Sequence, residues 1–492
     1  MPNNTDDLVL AIDQGTTGTT ALLLNKQVEP IASYNVEFPN HYPAPGLVEH
    51  DVEEIWNSVR DAIEGALRES GRQASEIKAI GITNQRETSL FWNKDSGTPL
   101  HRALVWQDKR TSDTCESLKA DGHEPLFQRK TGLVLDPYFS GTKAAWVLNN
   151  VDGARGLAES GQALFGTIDT WLTWRLCGAH VTDASNASRT LMMELSSAQW
   201  DQELLDILGV PRACLPEIRS SSEVYGHTRG LDFLPDGIPI AGLIGDQQGA
   251  LFGQACFMEG MAKCTYGTGA FVLLNTGEQI VSSDNGMLTT VAWKIGDEVT
   301  YALEGSAFIA GAAVQWLRDG LQMIGSAEEI EALARSVESS DGVTFVPALA
   351  GLGAPHWRPN ARGLISGLTG GTTQAHIARA TLEGLALQIK DILDAMTKDL
   401  GGPLKELRVD GGAAKNDLLM EIQANLLNIA VTRPTCLETT ALGSAFLAGL
   451  AVGIWDSVEA VAEAWQVDRL FEPAEVDNSN LIKQWRNALE KA

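Results

Sequence analysis

Positive charge is scarce in this chain: 37 Lys and Arg stand against 63 Asp and Glu, a formal charge of −26. A field of that sign repels nucleic-acid backbones and anionic membrane surfaces, so general phosphate-backbone binding is not expected. A phosphorylated ligand must be held by local devices: backbone amides, hydroxyls, a metal ion and a few well-placed cations. The acidity itself reads first as solubility or adaptation to salt. Cysteine is sparse too. Cys115, Cys177, Cys214, Cys256, Cys264 and Cys436 form no close pair and no zinc spacing, which excludes a disulfide scaffold and a structural zinc site. They read as buried small residues in a reducing compartment. No Gly-Lys pair and no G-x-G-x-x-G occur, which excludes a Walker A loop and a dinucleotide fingerprint. The uncharged run Ala441 to Trp455 is shorter than the ~20 residues of a membrane span and contains Gly443, Gly449 and Gly453, so a buried core helix is expected there. Met1-Pro-Asn-Asn-Thr-Asp-Asp lacks the basic start and apolar stretch of a secretory or transit signal, and a cytoplasmic location is the expectation.

What is present is an ordinary globular composition, 44% apolar and 20% charged with 13 Trp and 13 Phe, which does not indicate disorder. At 492 residues the chain exceeds what one core usually organises, so two domains with a cleft between them are expected.

Apolar runs at Leu8 to Ile12 and Ala21 to Leu24 flank Asp13-Gln14-Gly15-Thr16-Thr17-Gly18, which predicts two strands joined by a Gly/Thr turn. A third strand is expected between Ile31 and Phe38. Asp51 is placed to cap a helix carrying Val52, Ile55, Trp56, Val59, Ile63, Ala66 and Leu67 on one face, and Ile77 to Thr83 returns as a strand. A comparable order follows later. Met261 to Tyr266 enters Gly267-Thr268-Gly269, then come Ala270 to Leu274, strands near Leu288 to Ile295 and Glu298 to Leu303, and a helix from about Ser306 to Arg318. The repeat is one of pattern, not identity, and predicts a duplicated α/β architecture with its boundary near Phe252 to Gly260 and the cleft between the two turns.

Gly/Thr turns at strand ends offer amides and hydroxyls to phosphate oxygens, and Asp13 adds a carboxylate able to hold Mg²⁺ through water. Either turn alone reads first as an ordinary hairpin. A third element, Asp410-Gly411-Gly412-Ala413-Ala414-Lys415-Asn416, lies between a strand pattern and the helical pattern Leu418 to Leu427, and suits close approach of an adenine ring or a ribose as well as it suits a plain connection. Three such elements on an internal repeat resemble the ATPase fold shared by sugar kinases, actin and Hsp70-type chaperones. That resemblance implies duplicated ribonuclease H-like domains of the actin/hexokinase/Hsp70 type with a central inter-domain cleft, here residues 1–253 and 254–492.

Further strings carry a narrower resemblance: Asn84-Gln85-Arg86-Glu87-Thr88, Val105-Trp106-Gln107-Asp108-Lys109-Arg110, Asp136-Pro137-Tyr138-Phe139-Ser140-Gly141-Thr142-Lys143, Gly245-Asp246-Gln247-Gln248-Gly249 and Gly351-Leu352-Gly353-Ala354-Pro355-His356-Trp357. In this order, from about Val9 to Trp455, they resemble the glycerol kinases of the FGGY carbohydrate kinase family. The resemblance implies transfer of the ATP γ-phosphoryl group to glycerol, with Asp246 as general base. It implies Arg86, Glu87, Tyr138, Asp246 and Gln247 on the glycerol hydroxyls, with Trp106 and Phe271 as walls. For ATP it implies Asp13, Gln14, Thr16, Thr17, Gly18 and Thr268 near the phosphates and Gly311, Gln315, Gly412 and Asn416 on the adenosine side. Mg²⁺ is expected on Asp13 and Asp246 through water, and a homodimer or homotetramer without nucleic-acid or membrane partners. An ionised aspartate needs no special tuning as such a base.

Two departures stand out. Thr20 occupies a position where many members carry arginine, which removes one cation expected near the phosphates. In Gly226 to Gly237, Gly237 stands where some relatives have the arginine of an anion-binding loop and Asp232 where others have a phosphorylated histidine, with His227 displaced, so neither control is expected. The rival readings are a kinase for another polyol or sugar and an actin- or Hsp70-like ATPase, and the acceptor residues around Arg86, Trp106 and Tyr138 argue against both.

Overall fold

The computed structural model describes residues 7–492. Met1 to Asp6, most of the segment expected to carry no signal, lie outside the described residues. The first hairpin forms where the turn chemistry puts it: Leu8–Gln14 and Gly18–Leu24 run antiparallel, with Asp13 opposite Thr20 and Gln14 opposite Thr19. Unbroken apolar sequence suits a strand covered on both faces, and Leu8 to Ile12 are all buried. Pro30–Glu37 adds a third antiparallel strand at the sheet edge. Ile77–Asn84 and Pro239–Gly245 then join in parallel, and Ser222–His227 closes a six-stranded sheet. Asp51 accepts a hydrogen bond from Glu53 N, capping the helix Val52–Ser70, whose Val52, Ile55, Val59, Ile63 and Ala66 are buried as the spacing predicts.

The second half repeats this order. Met261–Tyr266 and Ala270–Gly277 form a hairpin, Glu298–Ala307 lies antiparallel beside it, and Glu406–Asp410 and Val431–Pro434 add in parallel. Leu288–Ile295 and Val467–Phe471 extend the edges to seven strands. Each sheet thus has an antiparallel strand on one side of its opening hairpin and two parallel strands on the other, the duplicated ribonuclease H-like topology, although in the second sheet the strand beside the hairpin is Glu298–Ala307 with the earlier Leu288–Ile295 outside it. One boundary differs from expectation. The helix expected from Ser306 begins at Gly311, because Ser306 and Ala307 still pair with Phe271 and Ala270, and Ala310 N then turns back to Thr268 O at 2.8 Å.

The uncharged run forms the helix Thr439–Ala451, buried from Ala441 to Gly449. It packs on the first sheet: a Cβ added at Gly81 would lie 2.1 Å from Ser444 O, and one at Gly443 2.0 Å from Gly249 O. Only glycine permits such backbone approach. One apolar core therefore joins Val9, Ala11, Leu22 and Ile244 to Leu442, Ala445 and Phe446. Among the described residues no helix is long and apolar enough to cross a membrane, and all six cysteines are buried and free.

Candidate active site

Ligand sites of α/β proteins gather at the carboxyl ends of parallel strands. Here Leu8–Gln14 ends on Asp13-Gln14, Ile77–Asn84 leads into Gln85-Arg86-Glu87, and Pro239–Gly245 leads into Asp246, the first residue of the helix Asp246–Gly253. In the second sheet Met261–Tyr266 leads into Gly267-Thr268-Gly269, and Glu406–Asp410 into Gly411-Gly412.

The first turn is closed by Gly15 N donating to Gly18 O at 2.9 Å. Thr17 is exposed and Thr16 partly so. Gln14 differs from expectation: its side chain is fully buried, donates to Gly15 O at 2.7 Å and accepts from Gln85 Nε2 at 3.1 Å. Its amide is spent on bracing the turn from behind rather than facing a nucleotide. In the second turn Gly267 and Thr268 are exposed, while their carbonyls accept from Gly311 N at 2.9 Å and Ala310 N at 2.8 Å. A Cβ at Gly311 would lie 2.7 Å from Gly267 O, so the helix Gly311–Asp319 starts against the turn because its first residue has no side chain. Gly411, at φ 84°, fits equally closely: its added Cβ would meet Tyr266 O at 2.5 Å. The third glycine element therefore abuts the second turn. Gly412 and Gln315 are exposed. Asn416 caps the helix Asp417–Leu427, its Oδ1 accepting from Leu419 N at 2.9 Å.

Arg86 is the centre of a polar cluster beside the two turns. Its guanidinium grips Glu304 with both Nη atoms, reaches Gln248 Oε1 at 3.2 Å and Tyr138 Oη at 3.5 Å, and its Nε lies 3.1 Å from Asp246 Oδ1. Glu87 pairs mainly with Arg189, whose Nε donates to Glu87 Oε1 at 2.7 Å, whereas the Arg86–Glu87 contact is 3.9 Å. Lys263 Nζ, from the second sheet, bonds Gln247 Oε1 and Thr265 Oγ1. The Trp106 and Tyr138 rings meet edge to face at 5.6 Å, and Trp106 Nε1 donates to Thr16 Oγ1 at 2.9 Å. Phe271 pairs with Thr265 and Ser306 in its sheet and is partly exposed. Among the described residues these contacts leave one oxygen each of Asp246 and Glu87 and the Gln247 amide nitrogen without protein partners, a donor and acceptor set suited to several hydroxyls.

The charges are tuned by their surroundings. Burial works against the Glu304 carboxylate, yet Arg189 and Arg86 hold it down to about 2. Burial raises the Asp246 carboxyl above the usual aspartate range, opposed by Arg86, the Gln247 amide and Lys263. Burial, with Asp246 and Glu438 as neighbours, pushes the Asp13 carboxyl up to about 8. Crowded carboxylates at a phosphate turn suit a hard divalent cation. Among the described residues no three acidic, histidine or cysteine side chains are grouped to hold a metal directly. At the position of the missing arginine, Thr20 Oγ1 accepts from Asn35 Nδ2 at 2.9 Å. The cations that bear on Asp246 are Arg86 and Lys263.

Glu304, Arg189, Gln248 and Lys263 were not singled out in the sequence. A signal existed: Arg189 is the one charge between Ala184 and Met193, Lys263 is the one charge of Met261–Tyr266, and Glu304 is the one charge after the first residue of Glu298–Ala307. A solitary charge in a segment destined for burial must find a partner.

Comparison with known proteins adds to this geometry. Residues 8–253 match the N-terminal domain model of the FGGY family of carbohydrate kinases and residues 262–452 its C-terminal domain model. The chain is 56% identical over 490 residues to a glycerol kinase of Myxococcus xanthus, covering 98% of this chain and 99% of that protein. It is 54% identical over 488 residues to a glycerol kinase of Bacillus subtilis, covering 98% of both. Among solved structures, a Plasmodium falciparum glycerol kinase with ADP superposes with a TM-score of 0.93 at 38% identity over 99% of this chain and 98% of that one. A gluconate kinase from Lactobacillus acidophilus, at TM-score 0.88 and 23% identity over 98% and 97%, shares the fold.

Proposed function

This chain belongs to the FGGY family of carbohydrate kinases, and we propose that it transfers the γ-phosphoryl group of ATP to a terminal hydroxyl of glycerol, giving sn-glycerol 3-phosphate and ADP. The observation that carries the reading is the cluster around Arg86, which joins Asp246, Tyr138, Gln248 and Glu304 beside two Gly/Thr turns. A three-carbon polyol offers almost no apolar area, so its recognition rests on paired hydroxyls, and an acceptor lacking one leaves buried polar groups unsatisfied.

In the proposed mechanism Asp246 accepts the proton of the attacking hydroxyl as the O–P bond forms, and the β–γ bridging oxygen leaves with ADP. Arg86 keeps the base ionised and fixes its orientation through the 3.1 Å contact. Arg86, Glu87, Tyr138 and Gln247 hold the hydroxyls, and Trp106 and Phe271 wall the carbon chain. Thr16, Thr17, Gly18 and Thr268 present backbone and hydroxyl donors to the phosphates, with Gly311, Gln315, Gly412 and Asn416 on the adenosine side. Asp13 and Asp246 would hold Mg²⁺ through water, and that ion neutralises charge on the phosphate oxygens. Glycerol is assigned to residues 1–253 and adenosine to residues 254–492, with closure of the cleft excluding water as a competing acceptor.

The test is ADP formation by the purified protein with glycerol, erythritol, xylulose or no acceptor. The reading predicts a rate with glycerol far above the other three. Equal rates with and without glycerol would contradict it, and a preference for xylulose would move the chain to another acceptor class.

A further inference from the structure

Arg189 has no solvent-accessible surface, so no substrate reaches it, yet it bonds to both sides of the acceptor pocket. Its Nε donates to Glu87 Oε1 at 2.7 Å, and its Nη2 to Glu304 Oε1 at 2.9 Å. Glu87 follows the strand Ile77–Asn84 of the first sheet, and Glu304 lies in Glu298–Ala307 of the second. Glu304 in turn grips Arg86. Two cations and two carboxylates thus form a buried chain, Glu87–Arg189–Glu304–Arg86, whose outer members, Arg86 and Glu87, belong to the proposed glycerol contacts and whose Arg86 also faces Asp246.

The segment carrying Arg189 is itself held at three points. Asp183 caps the short helix Ala184–Ala187. Asn186 exchanges amide hydrogen bonds with Asn84 at 3.0 and 3.1 Å, and Ser185 Oγ accepts from Gly245 N, the residue before Asp246, at 2.9 Å. Ser188 Oγ meets Thr290 Oγ1 of the second half at 2.8 Å. The guanidinium lies against the Phe139 and Tyr138 rings, 5.2 and 5.8 Å from their centroids, and its Nη1 has no hydrogen-bond partner among the described residues. The side chain is therefore fixed by packing on one edge and by two carboxylates on the other.

We infer that Arg189 is a positioning residue for the acceptor site: by bridging Glu87 and Glu304 it aims the Glu87 carboxylate and the Arg86 guanidinium at the acceptor hydroxyls, and it couples that aim to the second sheet. This inference rests on the glycerol reading above. Glu87 without Arg189 keeps only the 3.9 Å contact to Arg86. A buried carboxylate in that position takes up a proton or turns, and either change removes an acceptor for a substrate hydroxyl. Lysine cannot replace the bridge, because a point charge does not reproduce the planar fork that serves two carboxylates at once.

The experiment is steady-state kinetics of the wild type, Arg189→Gln and Arg189→Lys, varying glycerol and ATP separately. The expected result is a glycerol KM raised by about 30-fold or more in Arg189→Gln and by about tenfold in Arg189→Lys, with the ATP KM within about twofold, the size of change that loss of charge-assisted hydrogen bonds gives. Arg189→Ala assayed with added methylguanidinium should recover part of the glycerol KM, which a general loss of stability would not do. An unchanged glycerol KM in a folded variant, or parallel rises in both KM values without rescue, would overturn the inference. If Arg189→Gln does not fold, Arg189→Lys, which keeps the buried charge, decides by the same ratio. A wild type with no glycerol-dependent turnover would refute the glycerol reading instead, so the two failures are distinguishable.

Discussion

The indole nitrogen of Trp106 donates to Thr16 Oγ1 at 2.9 Å, so a ring assigned to the proposed acceptor pocket is tied to the first Gly/Thr turn. Trp106→Phe keeps an apolar wall and removes this bond. One neutral hydrogen bond contributes about 0.5–1.5 kcal/mol, so both the glycerol KM and the ATP KM are expected to rise, each by roughly two- to tenfold. Kinetics with each substrate varied at saturation of the other check this. An ATP KM identical to wild type would show that the bond does not link the two sites.

Gly411 and its neighbour Gly412 make a controlled pair. Gly411 has φ 84° and its added Cβ would lie 2.5 Å from Tyr266 O, whereas a Cβ at Gly412 meets nothing within 4 Å. Gly411→Ala should lower stability by about 1–3 kcal/mol and weaken ATP binding by displacing the second turn. Gly412→Ala should stay within about 0.5 kcal/mol of wild type. Urea unfolding with and without ATP measures both. Equal stabilities for the two variants would contradict the packing described.

How much of this was legible beforehand depended on range. The turns at Asp13 to Gly18 and Tyr266 to Gly269 are written in adjacent residues, and the helix capped by Asp51 shows its buried face as a local period. The strand–turn boundary near Ser306 was misread, because pairing with Phe271 and Ala270 outweighs local pattern there. The charge set was not legible at all. Arg189 and Glu87 are 102 positions apart, and Arg86 and Glu304 are 218 apart and in different sheets. Only the duplicated topology brings them together. For the same reason adjacency in sequence does not pair Arg86 with Glu87, since each has a nearer partner elsewhere.

Asp13 carries a cost that the ion-free protein should reveal. Its carboxyl, pushed up to about 8 by burial beside Asp246 and Glu438, lies above the ordinary aspartate value. A raised carboxyl binds a proton more tightly in the folded than in the unfolded chain, so this group lowers stability progressively as pH rises from about 4 toward 8. Asp13→Asn should therefore melt higher than wild type at pH 8 in EDTA, with the difference shrinking toward pH 4, while Mg²⁺-dependent transfer falls by about 100-fold or more. Identical melting of the two proteins at pH 8 would contradict this assignment.

Asp246→Asn keeps the size of the side chain and removes its capacity as a base. Arg86 retains Glu304, so the pocket should stay assembled. The expected outcome is a folded protein with near-normal ATP affinity by calorimetry and a turnover reduced by about 10²–10⁴-fold. Near-normal turnover would remove Asp246 from the base role.

The central claim is that this cleft moves phosphate to glycerol rather than to water or a partner protein. Phosphorus NMR of ATP, Mg²⁺ and the purified protein, recorded with and without glycerol, tests it directly. The account predicts a glycerol phosphate monoester accumulating in step with ADP when glycerol is present, and almost no ATP loss without it. Inorganic phosphate appearing at the same rate in both samples, with no monoester, would contradict it.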